Sequence, residues 1–174
     1  MTTGRAFVYG DDIDTDQLAP GQYMAAPIET LAAHCLEAVD PAFASTVGPG
    51  DVIVAGRNFG MGSSREQAAQ ALKALGVAGI VARSFAGIFH RNAINVGLPV
   101  FTADVGGPIA AGDAVKLDVA GACLVNETRG GTIDLDPLPA FLLELINDGG
   151  LVPHLEKRFA KTRADARVQK ESRV

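Results

Sequence analysis

Tryptophan is absent from this chain of 174 residues, and aromatic residues make up only 6% of it. Its 48% hydrophobic content therefore depends mainly on small aliphatic side chains, and 20 glycines accompany them. Such side chains suit closely packed layers of helix and sheet, so we expect an α/β protein with one compact core. We expect a single domain over residues 1–160 and a flexible tail over residues 161–174.

Basic residues are not in excess, because the formal net charge is −5. This balance argues against a nucleic-acid partner or an anionic membrane surface. The chain also lacks a run of roughly 18 apolar residues, which a membrane span requires, and an apolar signal core near residue 1. We expect a soluble, cytoplasmic protein with no nucleic-acid or membrane partner.

Cysteine and histidine are scarce, with two and three residues respectively. Cys35 and Cys123 are far apart and match no CxxC pattern, so they cannot form a zinc site or an iron–sulfur cluster alone. His34 is adjacent to Cys35 and points another way on a helix, which makes a catalytic pair implausible. The sequence therefore predicts no metal site in this chain.

Hydrophobic patterning divides the chain into parts. Residues 51–104 read strand, helix, strand, helix, strand, which is typical of a layered α/β unit with parallel pairing. The residues after 104 predict an antiparallel meander and then a terminal amphipathic helix with a glycine stop. The residues before 51 predict a first strand at GRAFVYG, an irregular acidic loop over residues 11–24, and a helix over residues 28–39. The predicted buried face of that helix consists of Leu31, Cys35, Leu36 and Val39.

The stretch NFGMGSSREQAAQAL carries the strongest chemical signal. Its second half has one apolar helical face, made of Ala68, Ala71, Leu72 and Leu75. Ser63-x-x-Glu66 and Ser64-x-x-Gln67 each fit a capping box at the start of that helix. The amides and dipole at such a start favour a negative group.

Three further residues of this stretch support an anion site. Gly60 and Gly62 lack a Cβ, so a ligand can approach the backbone, and Arg65 can hold a carboxylate through two hydrogen bonds. The spacing matches neither a Walker motif nor a dinucleotide fingerprint. The stretch predicts a carboxylate or phosphate receptor, and the plainer alternative is a capped helix with Arg65 in a surface ion pair.

The acidic stretch DDIDTDQ offers a second candidate. Its aspartates alternate as in a calcium loop, but Gln17 and Tyr23 stand where a glycine and a bidentate glutamate belong. An Asx-turn loop is the simplest interpretation. The functional interpretation is that Asp16 projects into a site as an acid–base or orienting carboxylate.

Three motifs together resemble one known family. GDDIDTDQLAPGQYM, DVIVAGRNFGMGSSREQA and RSFAGIFHRNAINVGLPV, in this order, are similar to the small subunit of 3-isopropylmalate dehydratase, the swivel domain of the aconitase superfamily. The resemblance runs from about Val8 to about Leu151. It implies a swivelling β/β/α three-layer domain of the aconitase C-terminal type.

The resemblance also implies a function and a partner. In this family a separate large subunit carries a [4Fe–4S] cluster, and the two subunits form a heterodimer or heterotetramer. The enzyme is a hydro-lyase that interconverts 2-isopropylmalate and 3-isopropylmalate by dehydration–rehydration through an alkene, in leucine biosynthesis. By the resemblance this chain binds a small dicarboxylate substrate but holds no cofactor itself.

Residue roles follow from the same resemblance. Ser63 would be the catalytic base that removes the α-proton, and Asp16 would belong to the acid–base network of the cleft. The substrate-binding residues would be Ser64, Arg65, Thr15 and Gly62. Family members commonly differ at four positions, with Cys at Met61, His at Gln67, Arg at Gly87, and Tyr or Phe at His90.

Substrate choice in the family depends on the loop after the tyrosine of YMAAPIE. Met24, Ala25 and Ala26 offer small apolar contacts there, and an apolar pocket leaves a charged substituent unpaired. We expect an alkyl-substituted malate such as isopropylmalate, with dimethylmalate, malate–maleate and homoaconitate types as rivals. A non-catalytic anion-binding module is a further alternative, which would need Arg65 but not Ser63.

Overall fold

The structure is a computed structural model that describes residues 3–107 and 109–171. Its strands are β1 (Gly4–Val8), β2 (Val52–Ala55), β3 (Gly79–Ala82), β4 (Val100–Thr102), β5 (Ala114–Asp118), β6 (Cys123–Asn126) and β7 (Thr132–Asp134). Its α-helices are α1 (Thr15–Leu18), α2 (Ile28–Ala32), α3 (Phe43–Thr46), α4 (Gln67–Ala74), α5 (Gly87–Asn95), α6 (Ala140–Asn147) and α7 (Leu151–Glu171). A short 3-10 helix covers Gly21–Tyr23.

The strands form one mixed sheet in the order β4-β3-β2-β1-β5-β6-β7. The strands β1 to β4 pair in parallel. The strand β5 runs antiparallel to β1 and begins a meander that continues through β6 and β7. The predicted alternation of strands and helices after residue 51 and the predicted meander after residue 104 are therefore both confirmed.

Alternate side chains of β2 enter two separate apolar cores. Ile53 belongs to the core beneath the helices, whereas Val54 belongs to a core shared with the meander. A Cβ on Gly79 would lie 2.4 Å from Cδ2 of Leu117, so β5 packs closely against β3. The sheet therefore folds over itself, with the meander covering the face of the parallel strands that points away from the helices. Helices, parallel strands and meander thus form the predicted three layers, and the α/β fold class is confirmed.

The acidic loop is not irregular throughout, because α1 lies within it. Asp14 accepts the amide of Gln17 at 2.8 Å, and Oε1 of Gln17 accepts the amide of Asp14 at 3.0 Å. These two bonds form a reciprocal capping box. The signal for this cap in the sequence is the spacing of Asp14 and Gln17, which lies within the aspartates that alternate as in a calcium loop.

The predicted helix over residues 28–39 is wrong in length, since α2 ends at Ala32. Leu36 has a φ of 60°, and its amide donates to the carbonyl oxygen of Gln17 at 2.8 Å. This long-range bond replaces a continued helical ladder. Cys35 and Leu36 are buried as predicted, but Val39 is exposed.

The predicted glycine stop in the C-terminal helix is confirmed. Gly149 and Gly150 have φ values of 93° and 121° and separate α6 from α7. The helix α7 includes residues 161–171 of the predicted tail, residues 172–174 lie outside the described residues, and the flexibility of the tail stays a prediction. None of the helices described here is long and apolar enough to cross a membrane.

An aromatic cluster joins the loop after β2 to α5. The rings of Phe59 and Phe89 meet edge to face with their centroids 5.3 Å apart. Gly60 has a φ of 76°, and a Cβ there would lie 2.1 Å from Cγ of Phe89. The amide of Gly60 donates to the carbonyl oxygen of Ile13 at 2.7 Å. This glycine therefore lets the loop rest on α5 while it stays bonded to the acidic loop.

Replacing Gly60 with alanine should destabilise the protein by about 3 kcal/mol, the sum of left-handed backbone strain and overpacking. Gly112→Ala is the matched control, because Gly112 has a φ of 85° with nothing within 4 Å of its Cβ position. The control should lose only about 1 kcal/mol. Urea unfolding measures both values, and equal losses would contradict a packing role for Gly60.

Candidate active site

The candidate site lies where the loops after β1 and β2 run side by side. From here on, the name acidic loop is restricted to residues 11–19, the first part of the predicted loop over residues 11–24, and residues 58–66 are called the serine loop. Both loops leave the same edge of the sheet, since β1 and β2 are parallel neighbours, and α/β proteins bind ligands at such an edge. The amide of Thr15 donates to the carbonyl oxygen of Met61 at 2.8 Å. Backbone bonds of this kind hold the two loops together.

Ser63 and Thr15 form a pair of hydroxyls between the loops. Their Oγ atoms are 2.9 Å apart, and Oγ1 of Thr15 also accepts the amide of Ser63 at 2.9 Å. Either hydroxyl can donate in this contact. When Thr15 donates, its proton points to Oγ of Ser63 and can stabilise an alkoxide there. Thr15 is buried and Ser63 is exposed. A Cβ on Gly62 would lie 3.0 Å from Oγ1 of Thr15, so glycine leaves room for the pair.

Arg65 is held by residues of the acidic loop. Its Nη1 pairs with the carboxylate of Asp16 and donates to the carbonyl oxygen of Ala19 at 3.1 Å. The side chain of Arg65 is 25% exposed, and that of Asp16 is 70% exposed. An ion pair this open to solvent stabilises a protein by less than about 1 kcal/mol. A substrate carboxylate can therefore replace Asp16 on the guanidinium at small cost.

The predicted capping boxes at Ser63 and Ser64 are wrong. The helix α4 begins only after Glu66, whose side chain makes no capping hydrogen bond. The Ser63 hydroxyl contacts Thr15 instead, and the Ser64 carbonyl oxygen lies 3.4 Å from the donor Nδ2 of Asn92 on α5. Both serines are exposed in the loop ahead of the helix, where they can reach a ligand.

Asp12 and Asn58 form another pair across the two loops, which sequence analysis missed. Nδ2 of Asn58 donates to Oδ1 of Asp12 at 2.8 Å. The φ values of Asp12 and Asn58 are 62° and 59°, a conformation that costs about 1 kcal/mol or more for a residue with a side chain. Asp and Asn adopt it most readily among such residues. Their positions just after two predicted strands were the available signal.

The predicted specificity residues follow the 3-10 helix. Ala25 is exposed, while Met24 and Ala26 are half-buried. The 3-10 helix begins beside Arg65, because a Cβ on Gly21 would lie 3.9 Å from its Nη2. The segment Met24–Ala26 is therefore connected through a few residues to the guanidinium of the candidate site.

The residues of this chain do not fit an iron–sulfur cluster, which needs a full set of cysteine thiolates. Cys35 is fully buried, and burial raises the pKa of its thiol far above the usual range. Within residues 3–107 and 109–171, no group of three or more His, Cys, Asp and Glu side chains is arranged to hold a metal ion. The four aspartates of the acidic loop contact separate partners, namely Asp11 with the amide of Arg57, Asp12 with Asn58, Asp14 with Gln17, and Asp16 with Arg65.

The comparisons with known proteins agree on one family. The family model of the aconitase C-terminal domain matches residues 15–103, which include both hydroxyls and the arginine described above. The chain is 51% identical to the 3-isopropylmalate dehydratase small subunit of Moorella thermoacetica, over 89% of this chain and 95% of the relative. It is 48% identical to the methanogen homoaconitase small subunit of Methanothermobacter thermautotrophicus, over 88% and 90% respectively.

A solved structure agrees with these relatives. The crystal structure of 3-isopropylmalate dehydratase from Methanocaldococcus jannaschii superimposes with a TM-score of 0.88 at 43% identity, covering 94% of this chain and 98% of that chain. The chain therefore belongs to the aconitase C-terminal domain family and, within it, to the hydro-lyase small subunits typified by 3-isopropylmalate dehydratase.

Proposed function

We propose that this small subunit serves a hydro-lyase that interconverts 2-isopropylmalate and 3-isopropylmalate through an alkene, in leucine biosynthesis. The observation that carries the proposal is the pairing of Ser63 with Thr15 next to the pairing of Arg65 with Asp16. The first pair suits proton abstraction, and the second pair suits carboxylate binding. An anion-binding module needs only the second pair.

Ser63 is the proposed base. It takes the α-proton of the substrate onto Oγ, and the electrons of the broken C–H bond form the alkene. The departing hydroxyl group takes up a proton from the carboxyl group of Asp16, the proposed acid, and leaves as water. The Thr15 proton stabilises the Ser63 alkoxide before transfer, because the two oxygens are 2.9 Å apart. In the return direction, Ser63 gives the proton back to a carbon of the alkene.

Arg65 is the proposed carboxylate ligand. Its guanidinium can exchange Asp16 for a substrate carboxylate while Nη1 keeps its bond to the carbonyl oxygen of Ala19. The released Asp16 then lies at the edge of the bound substrate, where it can accept or return a proton. The exposed Gly62 and Ser64 complete the proposed substrate contacts.

The large subunit is the proposed partner, and it would carry the [4Fe–4S] cluster. The serine loop is open to solvent, with Met61 40% exposed, and Ile88 of the neighbouring α5 is 49% exposed. Exposed apolar side chains next to a polar site suit a surface that a partner covers. We place the completed site between the two subunits, in a cytoplasmic enzyme.

Isopropylmalate is the preferred substrate because the segment Met24–Ala26 is small and apolar. The homoaconitase relative supports a second candidate, in which a charged substituent is accepted. A buried carboxylate without a partner is costly, and none of the three side chains of this segment can pair with one. Dimethylmalate and malate–maleate remain alternative substrates of the same chemistry.

The proposal is tested by anaerobic reconstitution with the large-subunit homologue whose gene lies nearest to the gene of this chain. Isopropylmalate should be dehydrated, and Ser63→Ala should lower kcat by about 10³-fold because the base is lost. Ser45→Ala, on the exposed surface of α3, is the control and should leave kcat unchanged. Absence of turnover on every diacid, with an intact cluster, would leave the anion-binding module as the better proposal.

Arg65→Lys should raise KM by about 10-fold or more, because an ammonium cannot form the two parallel bonds of a guanidinium. The measurement is steady-state kinetics of the reconstituted enzyme. Arg91→Lys, an exposed position on α5, is the matched control. An unchanged KM in Arg65→Lys would remove this residue from the carboxylate site.

Ala25→Arg should gain turnover of a substrate with an additional carboxylate, such as homoaconitate, and should lose turnover of isopropylmalate. The reason is that the new guanidinium supplies the missing partner for the charge. Ala33→Arg adds the same charge at an exposed position after α2 and should not change selectivity. Identical selectivity in both variants would contradict the assignment of residues 24–26.

A further inference from the structure

We infer that the stacked rings of Tyr23 and His34 form a positioning element that sets substrate selectivity by fixing the segment Met24–Ala26. This inference rests on the proposed function, in which that segment faces the substituent of the substrate. Neither ring belongs to the proposed catalytic or carboxylate-binding residues.

The two rings are in close face-to-face contact. Their centroids are 3.7 Å apart, and their planes differ by 9°. Both side chains are half-buried. Tyr23 ends the 3-10 helix and directly precedes Met24, whereas His34 follows α2. The stacked rings therefore join the two ends of the chain segment between residues 23 and 34, and we call this contact the ring stack.

His34, on one side of the ring stack, is held by contacts with residues next to the core. Nδ1 of His34 lies 2.6 Å from Oε2 of Glu37, and its amide donates to the carbonyl oxygen of Leu31 at 3.0 Å. The amide of Leu36, two residues further, donates to the carbonyl oxygen of Gln17 on α1. Leu36 itself is fully buried. These contacts hold the imidazole of His34 in place, and the ring of Tyr23 stacks on it.

Tyr23, on the other side of the ring stack, is connected by a short stretch of chain to the proposed carboxylate site. The amide of Tyr23 donates to the carbonyl oxygen of Pro20 at 3.0 Å. One residue before Pro20, the Ala19 carbonyl oxygen accepts from Nη1 of Arg65, and Gly21 lies beside Nη2. Residues 19–23 are therefore fixed at one end by the substrate arginine and at the other by the His34 ring. This arrangement sets where Met24 lies relative to a bound carboxylate.

Backbone bonds carry this placement into the specificity segment. The amide of Met24 donates to the carbonyl oxygen of Gly21 at 3.3 Å, and the amide of Ala26 donates to that of Tyr23 at 2.9 Å. If the stacking contact between Tyr23 and His34 is lost, the two turns formed by these bonds are no longer held in place at Tyr23. A displaced segment should weaken contacts to an alkyl substituent while the reacting groups around Ser63 stay in place.

Four variants separate the ring contact from the hydrogen bonds. Tyr23→Phe and His34→Phe keep two flat rings, while Tyr23→Leu and His34→Gln remove one. His154→Gln is the matched control, because His154 on α7 is half-buried and its Nδ1 lies 2.7 Å from Oδ2 of Asp148. Each full-length chain is reconstituted with the large subunit, and kcat and KM are measured for isopropylmalate and for malate, which lacks the substituent.

We expect the ringless variants to raise KM for isopropylmalate by about 10-fold, within the range that one apolar contact contributes to discrimination. Their kcat and their KM for malate should stay within about twofold of wild type, as should all constants of the ring-keeping variants and of His154→Gln. A selectivity ratio that stays constant in the ringless variants, or that falls equally in His154→Gln, would overturn the inference.

Amide hydrogen exchange on the uncomplexed chain gives an independent readout. The amides of Met24 and Ala26 should exchange at least 10-fold faster in Tyr23→Leu than in wild type or Tyr23→Phe. Unchanged exchange would overturn the positioning role even if isopropylmalate is turned over. Conversely, faster exchange in Tyr23→Leu, together with no turnover of any diacid by the reconstituted wild-type enzyme, would disprove the proposed function and leave the positioning of this segment intact.

Discussion

The candidate site depends on one backbone feature, the parallel pairing of β1 and β2, which continues beyond both strands. Within the strands, Ala6 lies opposite Val52. Past their ends, polar contacts join Asp12 to Asn58 at the same separation of 46 residues. The bonded pair of Thr15 and Met61 extends the pairing into the site. A shift of one residue in this register would reverse the facing of each side chain and separate the site's hydroxyls.

This pairing explains why the chemistry of the site is divided between two loops. Ser63 and Arg65 lie on the serine loop, and the groups that orient them, Thr15 and Asp16, lie on the acidic loop. One orienting group is buried and uncharged, and the other is exposed and charged. The hydroxyl pair therefore has one partner shielded from solvent, whereas the ion pair is open to solvent, so that another anion can reach the guanidinium. In the proposed function this division suits the two roles, because a base must be oriented before the reaction, whereas an anion site must exchange its ligand.

The capping pattern shows how closely matched local signals compete. Serine followed three residues later by glutamate or glutamine predicts a cap at either serine of the serine loop, yet α4 starts after both. The same kind of pattern at Asp14 and Gln17 does form a cap. The difference is tertiary: Ser63 contacts the buried hydroxyl of Thr15 on the other loop, whereas the carboxylate of Asp14 accepts the amide of Gln17 within its own loop. Local hydrogen bonds form where no long-range partner takes the side chain.

The sequence by itself determined the layers, the strands, the glycine stop and the identity of the serine loop, because these depend on hydrophobic period and on residue type over short distances. Hydrophobic period also indicated that Leu36 is buried, but not that it leaves the helix to bond Gln17. Only the tertiary structure decided which side chains meet: Thr15 with Ser63, Asp12 with Asn58, and Tyr23 with His34. Each of these contacts depends on how separate elements or turns pack, and a linear pattern does not contain that geometry.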